Sequence, residues 1–281
     1  MSATLGEVVA ALEARYDPAL AESWDAVGLV CGDPVEPVER VLVAVDPVAA
    51  VVDEAVESGA GLLVTHHPLF LTPVHGVPAD DPKGRLVHRL VRAGCGLFVA
   101  HTNADRAAEV GVNDALAAVL GLQATRPLEA VAPGSRQGLG RVGTLAEPTT
   151  LAAFAAHAAA VLPTTAGGVR AAGDPDRPVR TVAVCGGSGG SLLPAAAAAG
   201  ADVLLTSDLR HHPVSEAGEL PGPALCDVAH FASEWPWVPV AAEVLAADLS
   251  GRVRAVASHH RTDPWTVRAG GNGGPAARVA G

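Results

Sequence analysis

The chain repeats one pattern of hydrophobic segments, and this repeat limits the folds it can adopt more than any other feature. VERVLVAVDP (38–47) matches VRTVAVCGGS (179–188), and GAGLLVT (59–65) matches GADVLLT (200–206). Both matches have an offset of 141 positions, and each copy has an Ala-rich helical stretch between its two segments. A constant offset over strand, helix and strand predicts two lobes related by an internal duplication.

Each copy of the repeat predicts a parallel pair of strands joined by a right-handed helical crossover. Third strands follow at GLFVAH (96–101) and ALCDVAHF (224–231), and uninterrupted apolar runs are typical of strands buried on both faces. Helices are predicted at LVHRLVRAG (86–94), LAAFAAHAAAVL (151–162) and VPVAAEVLAADL (238–249). The predicted fold class is α/β, with two α/β/α lobes.

The predicted lobes cover residues 1–125 and 179–268. The stretch between them, 126–178, is less regular and is predicted to be a connecting region. The last residues, 269–281, are rich in glycine and are predicted to form a disordered tail.

Composition and charge argue against several classes of protein. Hydrophobic residues make up 49% of the chain and aromatic residues only 3%, so a core of Ala, Val and Leu is expected. The net charge is −11 and no cluster of Lys and Arg occurs, which argues against a nucleic-acid partner. No apolar run is long and continuous enough to span a membrane, so no membrane association is predicted.

The cysteines and the N-terminal segment indicate a cytoplasmic protein. Four cysteines occur without C-x-x-C spacing: Cys31, Cys95, Cys185 and Cys226. Three of them lie in or beside apolar runs, which is typical of reduced, buried thiols. The segment MSATLGEVVAALEARY lacks the basic leader of a signal peptide and predicts an amphipathic helix, with Thr4 and Glu7 as a capping box.

Histidines and carboxylates follow several predicted strands at the point where each strand ends. They are His66 and His67 after LLVT, His101 and Asp105 after LFVA, Asp208, His211 and His212 after VLLT, and His230 and Glu234 after LCDVA. The carboxyl ends of parallel strands share one edge of a sheet, where α/β proteins place their sites. Several neutral imidazoles crowd together most readily around a cation that each of them ligates. The pattern therefore predicts a metal site.

The adjacent pair His66 and His67 favours two ions over one. Successive residues of a strand point in different directions, so two ions about 3.5–4 Å apart accept one imidazole each more easily than a single ion accepts both. A lone histidine at a strand end is more often a surface or hydrogen-bonded residue, so the metal prediction depends on the set. His75, His88 and His157 lie in loops or helical runs, and no site role is predicted for them.

A serine or cysteine nucleophile is less well supported. The chain contains no G-x-S-x-G elbow. The turn CGGSGGS (185–191) lies between a predicted strand and a predicted helix, where its amides are a candidate cradle for a phosphate. It lacks the lysine of a P-loop and the spacing of a dinucleotide fingerprint. A tight turn is the favoured interpretation, and a phosphate-bearing substrate is the alternative.

Six motifs between about residue 5 and residue 267 resemble those of a known family and occur in the family's order. They are WDAVGLVCGDP (24–34), THHPLF (65–70), HTNAD (101–105), CGGSGG (185–190), LLTSDLRHHP (204–213) and DVAHFASEW (227–235). Together they resemble the Nif-three-like family, whose members are called GTP cyclohydrolase 1 type 2 homologs. Ser207 stands where the family often has glycine.

The resemblance implies a dinuclear metal centre in which Glu234 bridges the two ions. The implied ligands are His66 and His67 of the H-H-P motif, Asp105 of H-T-x-x-D, and His230 and Glu234 of H-x-x-S-E. The resemblance also implies two interlocked α/β lobes and a ring-shaped homohexamer. Longer members carry an inserted domain in mid-chain, so this chain resembles the compact form.

Two classes of function are compatible with these ligands. The first is a metal-dependent hydrolase acting on a nucleotide or a related ring, with His101, Asp208 and His212 as candidate catalytic groups for proton transfer. Hydrolysis of phosphoesters is the nearest enzymatic variant. The second is a metal-binding or metal-handling protein without turnover. Mixed histidine and carboxylate ligands accept zinc, iron, manganese, cobalt or nickel, so the sequence leaves the metal open.

Overall fold

The computed structural model describes residues 2–269 and 277–278. The chain forms two compact units. The first contains the residues up to Ala107 together with Val238–Thr262. The second contains Ala108–Trp237 and the residues that follow Thr262.

This division differs from the predicted lobe boundaries at two places. The stretch 126–178, predicted as a connecting region, contributes strands to the sheet of the second unit. The segment 238–262, predicted in the C-terminal lobe, belongs to the first unit because its strand pairs with that sheet. The predicted disordered tail, 269–281, lies outside the described residues, apart from residue 269 and the pair 277–278.

Strands and helices alternate along much of the chain. The strands are β1 (Ala3–Thr4), β2 (Gly28–Cys31), β3 (Pro37–Val38), β4 (Arg40–Ala44), β5 (Leu62–Thr65), β6 (Gly96–Val99), β7 (Gln123–Ala130), β8 (Gly138–Thr150), β9 (Val169–Ala172), β10 (Pro178–Val184), β11 (Val203–Ser207), β12 (Ala224–Val228), β13 (Arg254–Ala257), β14 (Val267–Arg268) and β15 (Ala277–Arg278). The helices are α1 (Leu5–Arg15), α2 (Ala49–Glu57), α3 (Pro82–Arg92), α4 (Thr102–Asp105), α5 (Val112–Val119), α6 (Leu151–Val161), α7 (Leu193–Ala198), α8 (His211–Gly218), α9 (His230–Glu234) and α10 (Trp237–Asp248). Short 3₁₀ helices span Pro18–Leu20 and Gly190–Leu192.

The first unit is built on a five-stranded sheet of order β13-β4-β5-β6-β2. Neighbouring strands run parallel except for the edge strand β2, which is antiparallel to β6. Leu42, Leu63 and Leu97 from the three central strands pack with Val52 of α2 and Leu90 of α3. Burial of these apolar side chains fixes the strand ends in register, so the loops that follow β5 and β6 emerge side by side.

The second unit is built on a six-stranded sheet of order β7-β8-β10-β11-β12-β9. The central strands β10, β11 and β12 are parallel, and the long hairpin β7–β8 and strand β9 add antiparallel edges. Phe154 of α6 packs with Val182 and Leu205, whereas Ala196 of α7 packs with Leu204. The predicted α/β fold class is therefore confirmed in both units.

The two sheets share the register that the repeat predicts. Val41 pairs with Leu62 in the first sheet, and Val182 pairs with Val203 in the second. Each partner is shifted by the 141 positions that separate the sequence repeats. Each sheet also has an antiparallel strand beside its third parallel strand, β2 in one and β9 in the other. The common topology agrees with a duplication, which stays a prediction.

Two local predictions are confirmed at the N-terminus and at the cysteines. The Thr4 hydroxyl accepts a hydrogen bond from Glu7 N at 3.2 Å, and Glu7 Oε2 accepts one from Thr4 N at 2.8 Å, which completes the capping box of α1. Cys95, Cys185 and Cys226 are buried, as predicted. Among residues 2–269, no helix has the length and apolar character needed to span a membrane.

Candidate metal centre

Three histidines converge where β5 and β6 end in the first unit. A ligand nitrogen from each of His66, His67 and His101 lies within 4.8 Å of the other two. The ring centroids are 5.0 Å apart for His66 and His67, and His101 lies 5.2 and 5.6 Å from them. His66 is only 1% exposed. The structure thus brings the predicted pair together and adds His101, predicted as a proton-transfer group, to the same cluster.

Each of these imidazoles has its Nδ1 atom hydrogen-bonded to an oxygen. His66 Nδ1 lies 2.8 Å from Ala100 O, His67 Nδ1 lies 2.7 Å from Asp46 Oδ1, and His101 Nδ1 lies 2.8 Å from Asp25 Oδ1. An oxygen acceptor fixes the proton on Nδ1 and leaves the lone pair on Nε2. Histidines that ligate metals are oriented in the same way by their outer hydrogen bonds.

Asp25 is held from two sides. Its side chain is fully buried, and Oδ2 accepts hydrogen bonds from the backbone N of Thr102, at 3.0 Å, and from the Thr102 hydroxyl. Burial by itself would raise the pKa of the Asp25 carboxyl, but the hydrogen bonds from His101 and Thr102 hold that pKa below its ordinary value. The ionised carboxylate therefore fixes the orientation of the His101 ring.

The H-T-N-A-D motif forms a single helical turn, α4, that carries Asp105 back towards the histidines. The backbone N of Asp105 donates to His101 O at 3.1 Å, and Asp105 Oδ1 lies 3.8 Å from His66 Nε2. Buried Asn103 accepts from His101 N at 2.9 Å and donates to Tyr16 O at 2.7 Å. The spacing of four residues between His101 and Asp105 therefore places both side chains at the same strand end.

In the second unit, His230 and Glu234 are the first and last residues of α9. His230 Nε2 lies 2.9 Å from Glu234 Oε1, and His230 Nδ1 lies 2.7 Å from Asp208 Oδ2. Glu234 is only 3% exposed. If the proton of His230 lies on Nδ1, facing Asp208, then Nε2 carries a lone pair and faces the Glu234 carboxylate. Two acceptor atoms 2.9 Å apart repel each other unless a cation lies between them. A proton or a metal ion meets that need.

Ser233, the serine of the H-x-x-S-E motif, holds α9 in place. Its hydroxyl donates to His230 O at 2.7 Å and accepts from Gly187 N at 2.9 Å. Ser207 Oγ lies 3.0 Å from Ser233 Oγ, and both serines are buried. The serine at position 207, where the resembling family often has glycine, therefore adds a hydrogen bond beneath the helix that carries the candidate ligands.

The glycine-rich turn packs against these same side chains. Gly187 has a φ of +65°, and a Cβ atom there would lie 2.5 Å from Glu234 Oε1 and 3.0 Å from His230 Nε2. Gly189 donates its backbone N–H to Thr206 Oγ1 at 2.8 Å, and a Cβ atom there would lie 2.5 Å from that oxygen. The tight turn therefore leaves the space that His230 and Glu234 occupy.

The remaining candidate groups are divided by the structure. Asp208 has a φ of +57° and a side chain that is 56% exposed, and it contacts His230 as described. His212 lies in α8 with its ring centroid 5.2 Å from that of His211. Among residues 2–269, no hydrogen bond or ion pair joins His212 to His230 or Glu234. Asp208 thus contacts a candidate ligand, whereas His212 does not.

Three supporting residues were missed by the sequence-based predictions: Asp25, Asp46 and Ser233. Asp46 lies two residues after the end of β4, so the strand-end signal that selected the histidines also applied to it. Its second oxygen, Oδ2, accepts a hydrogen bond from the Thr262 hydroxyl. Asp25 and Ser233 lay within motifs already singled out, but only the distances show what they bind.

The donor chemistry of both clusters fits a divalent transition metal. Imidazole nitrogens and carboxylate oxygens are the ligands that such ions accept. In each cluster the Nδ1 atoms are hydrogen-bonded to oxygen, which directs Nε2 for ligation.

Comparison with known proteins gives a consistent result. Residues 3–264 match the family model described as Duf34/NIF3 (NGG1p interacting factor 3). A GTP cyclohydrolase 1 type 2 homolog of Streptomyces coelicolor is 53% identical, over 94% of both chains. One of Mycobacterium leprae is 37% identical over 96% of this chain and 97% of its own, in an alignment of 375 residues, so it carries inserted residues. A Bacillus cereus protein related to NIF3 has a crystal structure with a TM-score of 0.85 and 25% identity, over 94% of this chain and 99% of that one.

Proposed function

Because the chain belongs to the Duf34/NIF3 family, we propose that it is a metal-dependent hydrolase acting on a nucleotide or a related ring. The name shared by its relatives, GTP cyclohydrolase 1 type 2 homolog, suggests the substrate class. One observation carries the metal dependence: His66, His67, His101 and His230 each have Nδ1 hydrogen-bonded to an oxygen. Such bonds support ligation through Nε2.

We assign metal ligation to the five residues that the family resemblance implies, with Glu234 as the ligand that two divalent ions would share. The ligands are His66, His67, Asp105, His230 and Glu234. Zinc, iron, manganese, cobalt and nickel all suit this donor set. When bound, such ions polarise a substrate oxygen and ease the ionisation of water.

The side chains around the ligands orient them and handle protons. Asp46 accepts a hydrogen bond from His67 Nδ1 and so holds that ring at a fixed angle. Asp208 does the same for His230, and because it is exposed it can exchange a proton with solvent or substrate. His101, backed by Asp25, is our candidate for proton transfer beside the ligands.

A turnover screen of the metal-reconstituted protein tests this function. The substrates are GTP, other nucleotides and model phosphoesters, each with every candidate metal and with EDTA. We expect turnover only with metal, and we expect Glu234→Ala to lose both ions and all turnover. Glu216→Ala removes an exposed carboxylate of α8 in the same unit and should behave as wild type. Full activity in EDTA, or two ions retained by Glu234→Ala, would contradict the proposal.

A metal-handling protein without turnover is the second candidate. The deep burial of His66 and Glu234 favours it, because ligands shielded from water support tight retention of an ion. The same screen separates the two functions. A protein that binds two ions per chain and exchanges them with a chelator, yet turns over none of the substrates, is a metal-handling protein. Turnover of phosphoesters alone identifies the phosphoesterase variant.

The quaternary structure implied by the resemblance, a homohexamer, is also part of the proposal. Light scattering should then give a mass near six times 28.2 kDa. A mass of one chain at every concentration would contradict it.

A further inference from the structure

A groove in the second unit lies beside the Asp208–His230 pair and takes no part in the proposed metal ligation. It has a volume of about 360 Å³. Its polar lining comes from Ser188, Ser191, Asp208 and Arg210. Asp208 lines the groove and also accepts the His230 Nδ1 hydrogen bond at Oδ2, so the groove adjoins a candidate ligand.

Arg210 is a positively charged side chain in this region that is available to bind a ligand. A second cavity of about 400 Å³ shares Arg210 and is also lined by Arg170. Arg170 forms an ion pair with Asp227, whose other oxygen accepts from Leu209 N at 3.1 Å. Within residues 2–269, by contrast, Arg210 takes part in no ion pair, and its side chain is exposed. A planar guanidinium with unused donors is well suited to bind phosphate.

Two hydroxyls and an apolar wall complete the groove. Ser188 and Ser191 belong to the glycine-rich turn, and neither hydroxyl has a hydrogen bond within the described ranges. Leu193 and Val214 contribute apolar surface to the lining. A cavity of this volume that combines an apolar wall with a few converging polar groups is the usual form of a small-molecule site.

We propose that this groove binds the phosphate-bearing part of an anionic substrate such as a nucleotide. Arg210 pairs with the phosphate, Ser188 and Ser191 donate hydrogen bonds to it, and the apolar wall packs against the attached sugar or ring. The proposal rests on the proposed function and deepens it, because a substrate anchored here has its remaining part beside Asp208 and His230. It assigns the glycine-rich turn a second role besides packing against Glu234.

Titration calorimetry on the metal-loaded protein tests the groove with three probes: guanosine, GMP and pyrophosphate. Arg210→Met should weaken binding of GMP and pyrophosphate about tenfold, since a charge-assisted hydrogen bond to phosphate is lost. The affinity for guanosine should not change. Arg180→Met is the matched control, because it removes the same charge from an exposed position of the same unit that does not line the groove.

A second variant keeps the test independent of Arg210. Ser191→Asp places a carboxylate in the groove and should also weaken GMP and pyrophosphate binding, with the melting temperature recorded for every variant. If the two phosphate-bearing probes bind Arg210→Met and wild type equally, or do not bind wild type at all, the groove proposal is wrong. Metal-dependent turnover in the screen above would then still support the hydrolase. Conversely, Arg210-dependent phosphate binding without turnover under any metal would reject the hydrolase and keep the groove.

Discussion

The loops that follow β5 and β11 hold equivalent positions in the two sheets but supply different chemistry. β5 ends at Thr65 and is followed by His66 and His67, whereas β11 ends at Ser207 and is followed by Asp208. The first loop offers imidazoles as candidate ligands. The second offers a carboxylate that orients the imidazole of His230, carried by α9 after the following strand, β12.

The same difference appears one strand earlier in each sheet. Asp46, after β4, accepts the Nδ1 hydrogen bond of His67, whereas Gly187, at the position shifted by 141, leaves space for His230 and Glu234. Equivalent backbone positions thus provide a ligand, a supporting group or empty space, depending on the side chain. Two sheets with one register can therefore carry different chemistry at the ends of their strands without any change in topology.

The largest effect is expected when the equivalent positions of the two loops are each reduced to alanine. His66→Ala removes a proposed ligand, so bound metal measured by elemental analysis should fall below two ions per chain. Ser207→Ala removes a buried hydroxyl, so metal content should stay at two ions while stability to urea falls by about 1 kcal/mol. Equal loss of metal from both variants would show that the two loops do not differ as the comparison requires.

A smaller effect, on metal affinity or turnover, is expected when the carboxylates that orient the histidines lose their charge. Asp208→Asn and Asp46→Asn each remove the charge that faces a histidine Nδ1 while keeping the size of the side chain. Both should lower metal affinity or turnover by about 10–100-fold, with metal still bound at saturation. Glu219→Gln, an exposed change in the same unit as Asp208, is the control. An effect in one carboxylate variant only would sharpen the comparison, because it would show which histidine depends more on its carboxylate.

In the glycine-rich turn, a substitution is expected to lower the free energy of unfolding by about 1–2 kcal/mol. Gly187→Ala places a side chain at a positive φ, which costs about 1–2 kcal/mol, and directs it at Glu234. Gly190→Ala in the same turn meets nothing closer than Leu209 Cδ2 at 3.3 Å and should cost less than half as much. Urea unfolding and metal content together measure the difference. Equal stability of the two variants would be evidence against the packing role of Gly187.

The smallest difference is expected between the buried thiols of the two sheets. Burial raises the pKa of Cys95, just before β6, to about 12, and does the same for Cys226 in β12. Since a raised pKa keeps the reactive thiolate scarce below that pH, neither cysteine should react with iodoacetamide at pH 8 until the protein unfolds. Mass spectrometry along a urea series should show both labelled in the same range of urea. Earlier labelling of one would show that its sheet opens first.

The strand pairs could be predicted because burial on both faces leaves an uninterrupted apolar run in the sequence. The pairing of β4 with β5 and of β10 with β11 follows from such runs and from the crossover between them. The addition of β13 to the first sheet could not be predicted in this way. Its sequence, RAVA, is short and half-buried, and its pairing with β4 depends on packing far along the chain.

The candidate ligands could be predicted because histidines follow several predicted strands, and the ends of parallel strands meet at one edge of the sheet. Their supporting groups could not, because the role of a carboxylate such as Asp25 depends on which atom it faces. Asp25 and His101 are 76 positions apart in the chain, yet Asp25 Oδ1 lies 2.8 Å from His101 Nδ1. Only the positions of both side chains show that one orients the other.

The pairing of β13 with β4 has a consequence for the order in which the protein is made. During synthesis β4 leaves the ribosome early, yet its outer neighbour, β13, follows only after every strand of the six-stranded sheet. Until then the nascent first sheet carries an open edge of unpaired backbone groups, which other chains can extend. The second sheet has all its strands between residues 123 and 228 and can close sooner. We therefore expect a chain stalled with β12 outside the ribosome and β13 still inside the exit tunnel to protect its second sheet from proteases before its first.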